Sequence, residues 1–94
     1  MNIKEHIFML LSEECAEVAQ VVSKILRFGP DNIGPGHDQT NKERLEEEIA
    51  DILGVIGLLR KENMISDIDP KKIKAKGEKI KRYMQYSKDK GTLQ

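Results

Sequence analysis

The sequence predicts an all-α fold, and three observations carry that prediction. No stretch of the 94 residues sustains the apolar–polar alternation of a strand. Apolar residues instead recur three and four positions apart in two long runs. Capping residues stand where each run begins. The expected architecture is one domain over residues 1–94: an antiparallel helical hairpin with a third helix packed against it. Two copies together would complete a four-helix-bundle core.

The first helix is expected from about Ile3 to Leu26. Ile3, Ile7, Leu11, Val18, Val22 and Ile25 share one face of it. Asn2 with Glu5 forms a capping-box pattern at its start. "FGPDNIGPGHDQ" follows, carries three Gly and two Pro, and reads as a loop. Such a loop, about a dozen residues, is long for a small helical domain and points to function.

Thr40 with Glu43 repeats the capping-box pattern and opens a second helix to about Asn63. Its stripe is Leu45, Ile49, Ile52, Ile56 and Leu59. "ISDIDP" breaks the chain. Asp69 is placed to cap a third helix with Pro70 in its first turn, running to about Ser87. Its stripe is narrow, Ile73, Ile80 and Met84, with Gly77 interrupting.

With no Trp, two Phe and two Tyr, the core has to be aliphatic. A chain this short buries a modest share of its surface, so a homo-oligomer is expected. Cys15 is the only cysteine, which excludes an intrachain disulfide, and no C-x-x-C suggests zinc. On the apolar stripe, Cys15 is expected as a buried small hydrophobe. No apolar run approaches the roughly 18 residues of a membrane span, and Lys4, Glu5 and His6 interrupt any signal-peptide pattern. A soluble cytoplasmic protein without a membrane partner is expected.

Net charge is zero but unevenly spread. Residues 1–69 hold seven Lys and Arg against fourteen Asp and Glu. Residues 70–94, the basic helix and its tail, hold nine against two.

An internal correspondence locates the chemistry. "LSEECAEVAQVVSKI" from Leu11 lies over "LEEEIADILGVIGLL" from Leu45 at an offset of 34. Glu14 matches Glu48, and Glu17 matches Asp51. Each residue turns a helix by about 100°, so with Leu11 at zero the apolar stripe centres near 330°. Glu14 and Glu48 fall at about 300°, inside it, and Glu17 and Asp51 at about 240°, on its border. Helices packed by these stripes would converge four carboxylates. An unpaired buried carboxylate costs several kcal/mol, against a total stability of about 5–15 kcal/mol. Four raised pKa values would be one solution, and a bound cation is the simpler one. An all-oxygen donor set favours Mg²⁺, with Mn²⁺ possible, and also permits Ca²⁺. His6 and His37 are out of register with the Glu-x-x-His of a di-iron bundle. Glu13 and Glu47, near 200°, are weaker candidates.

Lys24 lies about 20° off the line of Glu17 and roughly 10 Å further along the axis, with Arg27 beyond it. Both can meet the phosphates of a metal-bound substrate, or complement the negative end of the helix dipole. Asn41 can bind sugar or phosphate, or support the cap. On the basic helix Lys81, Arg82 and Tyr83 can reach phosphates or base, or simply be solvated. The alternative reading is a non-catalytic interaction module whose basic C-terminal helix binds nucleic acid. The helix lacks the interleaved aromatics of single-strand binders, which makes nucleic acid the weaker partner.

"EECAEVAQVVSKILRFG" and then "TNKERLEEEIADILGVIGLL" resemble the MazG-like all-α nucleoside triphosphate pyrophosphohydrolases, in particular the small single-domain type of phages and bacteria. The family's E-x-x-E and E-x-x-D stand here as Glu14-x-x-Glu17 and Glu48-x-x-Asp51. The resemblance covers about residues 8–60. It implies Mg²⁺-dependent cleavage of a nucleoside triphosphate to monophosphate and pyrophosphate, by a dimer or a dimer of dimers. Glu14, Glu17, Glu48 and Asp51 would then be both metal ligands and catalytic residues.

Overall fold

The computed structural model describes residues 1–94 and contains three helices and no strand: α1 (Ile3–Phe28), α2 (Asn41–Lys61) and α3 (Pro70–Asp89). Each begins at the expected cap. The Asn2 side chain accepts from the Glu5 N–H, and the Asp69 carboxylate accepts from the Lys71 N–H, but neither bond is reciprocated. Only Thr40 and Glu43 close a full capping box, each side chain meeting the other's backbone N–H. That bonding holds the Glu43 carboxyl below its usual range. α1 stops at Gly29, whose φ of 95° suits a residue without Cβ.

α1 and α2 form the antiparallel hairpin. Ile7 packs with Val55 and Leu59 near its open end, flanked by Leu10, Leu11 and Met64. At the other end the loop is tied to the start of α2. The Asn41 N–H donates to the Asn32 carbonyl, the Lys42 N–H to Pro30, and the buried Asn41 side chain to the Gly29 carbonyl at 3.0 Å. Asn41→Ala removes that last bond and orphans a carbonyl, costing about 1–3 kcal/mol. A lower thermal midpoint by circular dichroism is the expected result, and an unchanged one would show the loop held by other means.

The contact between the helices is not centred on the apolar stripe. Ile7 and Val21 are buried, and Leu10, Leu11, Glu14, Glu17, Val18, Lys24 and Ile25 are half-buried. Their mean direction on α1 is near 290°, about 40° from the stripe centre and towards the acids. The rotation uncovers the far edge of the stripe. Cys15, expected to be buried, is exposed, and so are Phe8, Val22 and Leu26. On α2 the same holds for Ile49 and for Leu53, which is 62% exposed. In an antiparallel pair, equal rotation about each helix's own axis turns residues to the same side. Phe8, Cys15, Val22, Leu26, Ile49 and Leu53 therefore share one apolar side of the hairpin, opposite the border acids.

α3 departs from expectation. It does not pack on the hairpin: no Cα of α3 comes within 8 Å of α1 or α2. None of its residues is buried. The radius of gyration is 16.8 Å, against about 12 Å for a compact chain of this length. The narrow stripe of Ile73, Ile80 and Met84, all exposed, explains why the helix gains little from its own hairpin.

Candidate metal centre and phosphate pocket

Glu14 and Glu17 are one turn apart on α1, and Glu48 of α2 faces both of them across the hairpin. One carboxylate oxygen each from Glu14, Glu17 and Glu48 lies within 4.8 Å of the other two. These three are half-buried, whereas Asp51 is exposed and stands at the rim. Its charge still reaches the cluster, helping to raise the carboxyls of Glu14 and Glu48.

Glu48 is pushed up to about 7, first by burial, then by its hydrogen bond to Glu17 and the charges of Glu17, Asp51 and Glu14. Glu14 is also raised, by burial and then by the charges of Glu17 and Asp51. One oxygen of Glu14 and one of Glu48 are buried without any hydrogen-bond partner. Such orphaned anionic oxygens are costly unless protonated or matched by a cation. Oxygens around octahedral Mg²⁺ at about 2.1 Å are at most about 4.2 Å apart. The donor set is thus of the right chemistry and within an ångström of the right size.

Protonation and a cation compete for the same oxygens, which fixes the sign of a pH effect. A carboxyl raised from 4.5 to about 7 in the folded chain binds its proton more tightly there than when unfolded. Its contribution to stability is therefore greatest at low pH and is lost as pH rises from 4.5 towards 7. Ligation needs the deprotonated form. Millimolar Mg²⁺ should accordingly raise the thermal midpoint more at pH 8 than at pH 5.5. Equal shifts at the two pH values, or none, would contradict metal binding at these carboxylates.

Beside the cluster, at the loop end of the hairpin, lies a pocket of ≈ 640 Å³. Lys24, Arg27 and Asn41 all line it, together with Arg44, Phe28 and loop residues including Asn32 and His37. The start of α2 also borders it, and a helix N-terminus is ordinarily an anion site. Here it is spent: the N–H groups of Asn41, Lys42 and Glu43 donate to Asn32, Pro30 and Thr40. The cations that line the pocket are instead the side chains of Lys24, Arg27 and Arg44. Arg44 keeps one buried guanidinium nitrogen, Nη1, with no partner. Arg27 lies over the Phe28 ring at 4.7 Å to its centroid.

Arg44 was not among the residues singled out from the sequence, though a signal existed. At the offset of 34 it replaces Leu10, so a cation occupies a position that is apolar in the other helix. Phe28, Asn32 and His37 carried no comparable signal. Lys81 and Tyr83 are not brought to this pocket, since both lie on the detached α3. Asn41 combines two settings, lining the pocket while its amide holds Gly29. The chain matches no protein-family model, no curated protein and no solved structure.

Proposed function

We propose that the hairpin is a Mg²⁺-dependent nucleoside triphosphate pyrophosphohydrolase of the MazG-like type, releasing nucleoside monophosphate and pyrophosphate. One observation carries the reading: a cluster of Glu14, Glu17 and Glu48 with two orphaned oxygens adjoins a cation-lined pocket of nucleotide size. Phosphate chemistry needs both, because acids alone would repel a triphosphate and cations alone would not activate water.

Glu14, Glu17 and Glu48 would hold Mg²⁺ or Mn²⁺, with Asp51 at the rim. When bound, the ion supplies charge neutralisation and a more acidic water. The chain's own groups do the rest. Lys24, Arg27 and Arg44 draw the phosphate tail along the hairpin, away from the acids, and neutralise the departing pyrophosphate. A carboxylate oxygen of the cluster that the metal leaves free accepts the proton of the attacking water. The loop from Gly29 to Thr40, pinned by Asn41, supplies the remaining wall against the nucleoside. The uncovered apolar side of the hairpin serves homodimer formation, two hairpins making the four-helix bundle.

Incubation with ribo- and deoxyribonucleoside triphosphates, with and without Mg²⁺, followed by chromatography of the products, tests the assignment. Monophosphate and pyrophosphate in equal amounts are expected, and only with the metal. Diphosphate with orthophosphate would overturn it, as would no turnover together with tight, salt-sensitive binding to DNA or RNA. Lys24→Ala is expected to raise KM several-fold with kcat little changed, since the lysine meets phosphates in ground and transition states alike.

A further inference from the structure

We propose that α3 is an exchanged arm: it docks on the hairpin of a second copy of this chain, on the side that bears the border acids. This inference rests on contacts and charge and stands whether or not the hairpin hydrolyses a nucleotide.

A 20-residue helix with no tertiary contact lacks the packing from which most helical stability in proteins comes. α3 nonetheless has a formed apolar stripe. Ile73, Ile80 and Met84 lie within about 40° of one another around its axis. The tail extends that surface. Gly91 turns the chain back, with a φ of 81°, and the Thr92 and Leu93 N–H groups both donate to the Ser87 carbonyl. Thr92 and Leu93 then join Ile80, Tyr83 and Met84 around a groove. All of these except Ser87 are exposed within one chain. An ordered, half-apolar surface that its own hairpin does not cover calls for an external partner.

Charge identifies the partner. Residues 70–94 hold nine cations against two acids, and residues 1–69 seven against fourteen, an equal and opposite imbalance. The cations border the α3 stripe on both edges, Lys72, Lys76 and Lys79 on one and Lys74, Lys81 and Lys88 on the other. On the hairpin the acids concentrate on the side away from the uncovered apolar residues, where Glu13, Glu17, Glu47 and Asp51 fall between about 200° and 240°. Hairpin and arm are thus complementary, yet they are apart within one chain. Docking between copies satisfies both charge sets and leaves each hairpin's apolar side free for the bundle.

A carbodiimide, which joins a carboxylate to an amine only where they touch, tests this on the unmodified 94-residue chain. Equal amounts of ¹⁴N- and ¹⁵N-labelled protein are unfolded together, refolded and cross-linked, and the digests are read by mass spectrometry. The expected result is α3 lysines joined to hairpin carboxylates, with heavy–light pairs as frequent as same-label pairs. Same-label pairs alone would overturn the proposal, because α3 would then return to its own hairpin. So would the absence of any α3–hairpin pair from a sample in which other cross-links form. Lys76→Glu with Lys79→Glu should abolish the mixed pairs at those positions and weaken those at Lys72. Undiminished pairs at Lys72 would show that charge does not select the partner.

Discussion

Glu48→Gln is expected to lower turnover by about 10³-fold while making the metal-free protein more stable at pH 8. The two effects share one cause. Glu48 is the member of the cluster most disfavoured as an anion, pushed up to about 7 by burial and by its acidic neighbours. Above that pH the folded chain bears the cost of ionising it among them, and the neutral amide removes the cost. On the proposed mechanism the same substitution also takes away a metal ligand. Charge neutralisation at a phosphoryl centre is worth several kcal/mol, and each 1.36 kcal/mol is tenfold in rate. Glu14→Ala should lose turnover comparably, since its buried oxygen also lacks any protein partner. Asp51→Ala, at the exposed rim, should lose less. Thermal melts with and without Mg²⁺, together with steady-state rates, check all three variants. A Glu48→Gln protein that is less stable at pH 8 without metal, yet fully active, would contradict the role given to this carboxylate.

On the proposed four-helix bundle, Leu53→Asp is expected to convert a dimer to a largely unfolded monomer. Only Ile7, Val21, Val55 and Leu59 form a fully buried apolar core within one chain. That is little burial to offset the ordering of 94 residues. Leu53 lies on the uncovered apolar side with Phe8, Val22, Leu26 and Ile49, where a second hairpin would bury it. A carboxylate there faces another apolar surface at the two-fold and would be left unpaired. Ile68→Asp, in the linker before α3, is the matched control. It is exposed too and belongs to neither hairpin helix, so its effect should stay within about 0.5 kcal/mol. Sedimentation at micromolar concentration should give a dimer or larger for the native chain, with a thermal midpoint that rises with concentration. A monomeric native chain with a sharp, concentration-independent melt would contradict the bundle.

The helices were legible because their signals are local. Asn2, Thr40 and Asp69 cap within three residues of themselves, and Gly29 ends α1 through its own backbone. The acids of the candidate site were legible through the offset of 34, which sets Glu14 and Glu48 in the same helical direction. Lys24 and Arg27 follow from rise and rotation, and both line the pocket. What could not be read depends on how whole elements sit together. Periodicity defines a stripe but not which edge of it meets the neighbour, so Cys15 and Val22 emerged uncovered after the 40° rotation. Capping explains where α3 begins but not what it rests on. The loop's anchorage, with α2's first N–H groups given to Pro30 and Asn32, is a matter of tertiary contact. So is the placement of Arg44 in the pocket with a buried, unpartnered nitrogen.

Hydrolysis of a nucleoside triphosphate in H₂¹⁸O with Mg²⁺ present tests the central claim most directly. Water held at the cluster of Glu14, Glu17 and Glu48, with the phosphate tail drawn towards Lys24, Arg27 and Arg44, would attack the α-phosphorus. Mass spectrometry should then find ¹⁸O in the nucleoside monophosphate and none in the pyrophosphate. Label in the pyrophosphate, or in released orthophosphate, would place the attack at another phosphorus and contradict the account.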